Sequence, residues 1–212
     1  MGVWAPGPNA MWRRLTEAPQ LMKFMATPPT KTVTAYKLFD VKPDGTLHSL
    51  KIDKTTVQPM GAWIEGEKIV TKGLSPSHPG YHAGQLPIAP HLRGKPNTPE
   101  SHIQPNRVWA EVELSADTDF SAPGDVRSMP EVPLGGYYRW KRGTKQGGTW
   151  LIAGGARIVR VLSNQEVAGI LRTAGIPEDE IAREQGPAAD KWAEKINNAA
   201  VNSVIRKAAG RG

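Results

Sequence analysis

Alternation of apolar and polar positions dominates the middle of this chain, and a period near four dominates its last quarter. Residues 32–41, Thr-Val-Thr-Ala-Tyr-Lys-Leu-Phe-Asp-Val, are rich in β-branched and aromatic side chains. Pro43-Asp44-Gly45 then supplies turn chemistry before a second apolar stretch over 46–50, so the pattern predicts a β-hairpin. Residues 60–64 and 68–70 are too short for periodicity to choose between a helical turn and a strand. From 107 to 114 the alternation is clean. Val108, Ala110, Val112 and Leu114 share one face, and Arg107, Trp109, Glu111 and Glu113 the other, which predicts a half-buried strand. Residues 135–153 read as a strand, a glycine-flanked basic turn and a returning strand, and 156–162 as a further strand after Gly154-Gly155.

Ser163-Asn164-Gln165-Glu166 is a capping box, with a Ser hydroxyl for the N3 amide and a Glu for the cap amide. Val167, Ile170 and Leu171 form the apolar face of the helix it starts, and Gly175 ends that helix. Pro177 opens a shorter second helix stopped at Gly186-Pro187. A third runs from 188 to 209 with Trp192, Ile196, Ala199, Ala200, Ser203 and Val204 on one stripe. The expected architecture is α+β: an N-terminal arm over 1–31, a core of mainly antiparallel β-sheet over 32–162, and a C-terminal helical segment over 163–212.

The arm is broken by Pro6, Pro8, Pro19, Pro28 and Pro29, between which lie short apolar runs at 11–15 and 21–25 with basic neighbours. It cannot build a core of its own, so it is expected to dock on the body or on another subunit. The same holds for the helical segment, which is expected to pack on the sheet or on a neighbouring subunit. With 212 residues and no cysteine, the chain can bury a sizeable core but holds no disulfide, thiolate nucleophile or cysteine zinc site. The net charge of +7 favours acidic partners, nucleic acid among them, yet residues 161–212 carry as many acidic as basic groups. No run of about 18 apolar residues occurs, and Gly2 lacks the Ser or Thr that myristoylation needs at position 6, so no membrane association is expected.

Two stretches carry candidate chemistry. The first is 79–92, where His82 and His91 sit among Pro and Gly between predicted strands; His82, Gly84 and His91 are candidate ligand-binding residues. The spacing of His78, His82, His91 and His102 matches no zinc pattern, and no metal is expected. Nucleotide-binding glycine loops and a nucleophile elbow are both lacking, so no cofactor is predicted. The second stretch is the basic hairpin. Arg139, Lys141, Arg142 and Lys145, interleaved with Tyr137, Tyr138 and Trp140, suit stacking and phosphate contact on single-stranded nucleic acid. They equally suit a soluble, pairing-resistant hairpin tip. Asp117, Asp119 and Asp125 lack calcium-loop spacing and read as solvated turn residues.

Taken in order, residues 34–39, 59–63, 79–84 with 89–91, 108–112, 135–138 and 150–162 resemble an uncharacterised domain of bacteriophages and prophages, also found inside large multi-domain phage proteins. The likeness spans roughly 33–172. It implies a phage or prophage source, with the protein in the host cytoplasm or the virion, and a binding or structural role. A weaker likeness is to ADP-ribosyltransferases of the His-Tyr-Glu type. His82 with Gly84 would stand for the His-Gly pair and Tyr137 or Tyr138 for the tyrosine stacked on nicotinamide. No Glu stands near Thr149 or Trp150, so this likeness implies an inactive or binding-only relative that takes NAD. Whether the chain is an enzyme is left open.

Overall fold

A computed structural model describes residues 24–50, 54–66, 79–93, 103–121, 132–141, 143 and 147–208. Its strands are β1 (Thr32–Val41), β2 (Leu47–Ser49), β3 (Val57–Gln58), β4 (Trp63–Glu65), β5 (Tyr81–Gly84), β6 (Arg107–Ser115), β7 (Thr118–Asp119), β8 (Gly136–Lys141), β9 (Thr149–Ala153) and β10 (Gly155–Val161). Helices α1 (Asn164–Thr173), α2 (Glu178–Glu184) and α3 (Ala189–Ala208) follow, and a 3₁₀ turn spans Pro90–Leu92. The fold is α+β, with one ten-stranded sheet in the order β4-β10-β6-β1-β5-β9-β8-β7 and β2 and β3 branching from β1. Among the described strands the pairings are antiparallel except the short β7 against β8. None of the described helices is long and apolar enough to cross a membrane.

The pairing of β1 with β6, from Thr32 opposite Ser115 to Asp40 opposite Arg107, is the spine of the sheet. Gly154 alone separates β9 from β10, yet β6, β1 and β5 lie between those two strands in the sheet. The sheet must therefore roll. Its corner is tight: Gly154 donates its amide to the Gly136 carbonyl at 2.9 Å, and a Cβ at Gly154 would overlap the Pro133 carbonyl. Ser115, fully buried, accepts the Gly155 amide and donates to the Gly136 carbonyl, tying β6, β8 and β10 together at that corner.

One core fills the inside of the roll, with Ala35, Phe39, Val108, Val112, Leu114, Leu151 and Ile158 among its members. Ala193 and Ile196 of α3 join it, with Trp192 packed alongside. A second core lies on the outer face, where Leu38 and Trp109 meet Val167, Ala168 and Leu171 of α1 and Ile181 of α2. The expected half-buried strand is therefore buried on both faces at Trp109, and Arg107, Glu111 and Glu113 keep partial exposure. The helices cover what alternation assigned to solvent. The stripe expected along α3 is buried only in its first half; Val201, Val204 and Ile205 are exposed.

The structure settles the ambiguous run at 60–64. Met60 bridges Ile158 and residues 63–65 form β4 on the edge of β10; residues 68–70 lie outside the described residues. Two of the acids read as solvated turn residues, Asp117 and Asp119, are exposed and have specific partners as well. Asp117 accepts from the Thr30 amide and hydroxyl and the Lys31 amide, and Asp119 accepts from the Tyr137 hydroxyl and Arg139. Asp125 lies outside the described residues. The end of the arm docks on its own body, with Phe24 bridging Ile64 and Met25 donating its amide to the Trp63 carbonyl. Residues 1–23 lie outside the described residues.

The capping box of α1 forms as expected. Burial works to raise the Glu166 carboxyl, but the Ser163 amide and hydroxyl and the Arg160 guanidinium outweigh it and hold the group below its ordinary 4.5. A depressed carboxylate contributes stability that is present above the ordinary value and lost as pH falls through the folded value. The melting-temperature gap between the native chain and Glu166→Gln is accordingly widest near neutral pH and narrows below about 4.5. A gap that widened on acidification would contradict this assignment. Gly154→Ala forces the corner apart and is expected to cost about 3 kcal/mol or more, lowering the melting temperature by roughly 6–12 °C. Gly169→Ala, where an added Cβ meets nothing within 4 Å, leaves it unchanged or slightly higher.

Candidate functional site

The free edge of β1 is shared between two strands. At Tyr36 it pairs with Gly84 of β5, and from Phe39 to Val41 it pairs with β2. Between those pairings lie Lys37 and Leu38. Here the surface opens into a recess of about 160 Å³, walled by Tyr36, Lys37, Leu38, Ser49, His82, Gly84 and Trp150, with Ala89, His91 and Leu92 above it. The Lys37 ammonium donates to the main-chain carbonyl of His82 at 2.9 Å and lies over the Tyr81 ring, 4.6 Å from its centroid.

Strand geometry aims the ring side chains. His82 lies opposite Ile152, and Gly84 opposite both Trp150 and Tyr36, so His82, Trp150 and Tyr36 project from one face of the sheet. Trp150 is the hub. Its ring meets His91 at 5.3 Å between centroids with a 38° tilt, His82 edge-on at 6.1 Å, and Trp140 edge-on at 6.2 Å. Burial raises the Tyr36 phenol above its ordinary 10.0, helped by Glu111 and opposed by Arg160, which leaves it a neutral hydroxyl at physiological pH.

The turn carrying His91 is held from behind by a charge pair. Glu184, at the end of α2, is 1 % exposed; it accepts the Ala89 amide at 2.9 Å and the Arg93 Nε at 3.0 Å, with a second, closer contact from the Arg93 guanidinium. Arg93 also donates to Glu180 at 2.7 Å. Both ends of the 89–93 segment are thus tied to one carboxylate. Burial pushes the Glu184 carboxyl above its ordinary value, with Arg93 and the Ala89 amide pulling the other way. The Trp109 indole approaches the same group, although neither its Nε1 nor Glu184 Oε2 closes a hydrogen bond of ordinary geometry. From below, Gly147 supports the segment: at φ +87° and without a Cβ, it passes where a side chain would meet the Ile88 carbonyl.

Three of the expected ligand-binding residues, His82, Gly84 and His91, come together at this recess. The two tyrosines do not. Tyr138 is buried in a small separate cluster with Val132 and Ile152, where burial pushes its phenol up to about 12. Tyr137 lies in the core with its hydroxyl donated to Asp119. Of the basic hairpin, Arg139 is paired with Asp119, donates to the Tyr137 hydroxyl and lies over the Tyr137 ring, while Lys141 is exposed. Arg142 and Lys145, like His78 and His102, lie outside the described residues. His48 has a structural place, its two ring nitrogens engaged by the Thr46 hydroxyl and the Lys54 carbonyl.

Sequence reasoning missed Trp150, Lys37 and the Glu184–Arg93 pair. Trp150 was visible as the residue that stands where a transferase glutamate would be. Nothing local marked Glu184, which lies 91 residues from Arg93. A larger hollow of about 810 Å³ lies between the second half of α3 and the β2–β3 region, and its walls are mainly aliphatic, with Val57, Met60, Val201 and Val204 among them.

Removing one partner of a buried pair strands the other charge, at a typical cost of ~3–5 kcal/mol. Glu184→Ala is therefore expected to lower the melting temperature by on the order of 10 °C. Glu178→Ala, which breaks only an exposed pair with Arg172, leaves it in place; equal effects from the two would contradict the clamp. Compared with known proteins, the chain matches no family model, no curated protein and no solved structure.

Proposed function

We propose that this chain is a binding protein that receives one flat ring of a small ligand in the recess between β1 and β5. The observation that carries this reading is the ring cluster: Trp150, His82 and His91 converge on a recess of about 160 Å³. A cavity of about 150 Å³ suffices for benzene, so the volume suits a single six-membered ring and not a whole dinucleotide. The aromatic walls supply stacking surface and the imidazoles and hydroxyls supply orientation, the composition expected of a ligand pocket.

The phage or prophage source rests on the ordered likeness described above, which also supports a role as a binding or structural component. Contact with other protein subunits through the C-terminal helix draws support from the exposed Val201, Val204 and Ile205. An NAD-binding relative of the ADP-ribosyltransferases is the second reading. Favouring it is a ring-sized recess beside His82. Among the described residues no Asp or Glu lines that recess, so the reading extends to holding a nicotinamide ring and not to breaking its glycosidic bond. A nucleic-acid role loses support at Arg139, whose guanidinium is already committed to Asp119 and Tyr137.

Ligand-observed NMR with nicotinamide and benzamide on the full chain tests the proposal. Both are expected to give saturation transfer that Trp150→Ala removes. His82→Ala is expected to weaken binding while keeping the melting temperature within a few degrees, because the Lys37 bond goes to the main chain and survives the change. Signals that persist in Trp150→Ala would place binding elsewhere.

A further inference from the structure

We infer that the hollow beside α3 is the seat of a second copy of this chain, the two copies pairing antiparallel through the last turns of α3. The inference rests on the reading of the C-terminal helix as a contact between subunits and names the partner. The first half of α3 packs on the sheet through Ala193 and Ile196, but from Val201 to Arg206 every side chain is exposed. Over these turns Ala200, Val201, Val204 and Ile205 spread around most of the circumference, and Asn202 and Arg206 share the remaining side. A helix apolar on nearly all sides is stable when buried between surfaces. Val201, Val204 and Ile205 lack that cover, and so do Val57 and Val159 across the hollow of about 810 Å³.

The hollow asks for what α3 itself carries. Gln58, in its wall, is 6 % exposed, and its buried amide oxygen has no hydrogen-bond donor among the described residues. At the rim, Asp44 accepts from the Thr46 amide and hydroxyl and pairs with no Lys or Arg among the described residues; Lys195, on the same rim, lies over the Trp192 ring. A fitting occupant is therefore apolar, donates a hydrogen bond and carries positive charge. The last turns of α3 supply all three, in Val204 and Ile205, in the Asn202 amide and in the Arg206 guanidinium. Ala199 and Ala200 leave room for two helices to approach closely. An antiparallel crossing there sets the partner's Val204 over Ile196 and brings the partner's Arg206 to the level of Lys195, against which the turn at Asp44 and Gly45 lies. The same patch serves both copies, so the pair closes on a twofold axis.

Size-exclusion chromatography with light scattering, run on the full chain over a range of concentrations, tests the pairing. A mass of twice 23.0 kDa is expected. Val204→Asp is expected to raise the dissociation constant about a hundredfold, because the new charge is buried only in the pair. Its far-UV circular dichroism stays native, since Val204 is exposed in the single chain. The chain has no cysteine, so an introduced one reports on proximity without the need for Val204→Asp to fold. Oxidation of Ala200→Cys is expected to give a covalent dimer, whereas Gly169→Cys, exposed on α1, gives none. A monomer throughout would overturn the self-pairing and leave the hollow to residues 1–23 or to a different subunit. A dimer that survives Val204→Asp and does not cross-link through Ala200→Cys would show that copies meet elsewhere, and would overturn the reading of α3 as the contact as well.

Discussion

The edge of β1 that does not pair with β6 is too long for either of its partners. β5 meets it at Tyr36 and β2 meets it from Phe39 onward, and the interval at Lys37 and Leu38 belongs to neither. A sheet edge interrupted in this way must be filled, covered or left open. Here the Lys37 ammonium bonds the His82 carbonyl and lies over the Tyr81 ring, tying β1 to β5, and the outer face of the interval opens as the recess. Everything else at the site depends on that partition of one strand edge.

The rest of the fold keeps the recess in shape. The roll of the sheet at Gly154 brings β9 beside β5, and with it Trp150 beside His82. The helices contribute more than cover. Docking α1 and α2 on the outer face buries Trp109 and Leu38 in the floor of the site and carries Glu184 to the back of the His91 turn. A carboxylate so buried is costly to ionise, and its retention makes sense where it fixes a segment that has little regular structure of its own. Pro90 and its neighbours could not be held by a strand ladder, so side chains from α2 do the holding.

Much of the fold was legible in the sequence because it rests on local patterns. The alternation at 107–114 marked β6, the glycine-flanked basic turn marked β8 and β9, and Ser163 with Glu166 marked the start of α1. What could not be read depends on long-range partners. Trp109 alternates with buried residues and so counted as an outward position, until α1 and α2 cover it. Tyr137 and Tyr138 stand where the transferase likeness places a ring-stacking tyrosine, but one strand further along the sheet they are packed against Val132 and the core. His82 and His91 share one loop-rich stretch of sequence and line one recess, while Lys37 lies unmarked in an ordinary strand pattern. Chemistry carried on a single loop is visible in sequence; chemistry assembled across β1, β5, β9 and α2 is not.

The most direct measurement is a crystal of the full chain soaked with a mixture of single-ring fragments. Density for a ring is expected in the recess, seated against Trp150 between His82 and His91, with the Lys37 bond to the His82 carbonyl intact. Fragments bound only in the aliphatic hollow beside α3, with the recess closed by rearrangement of Trp150 or the His91 turn, would contradict it.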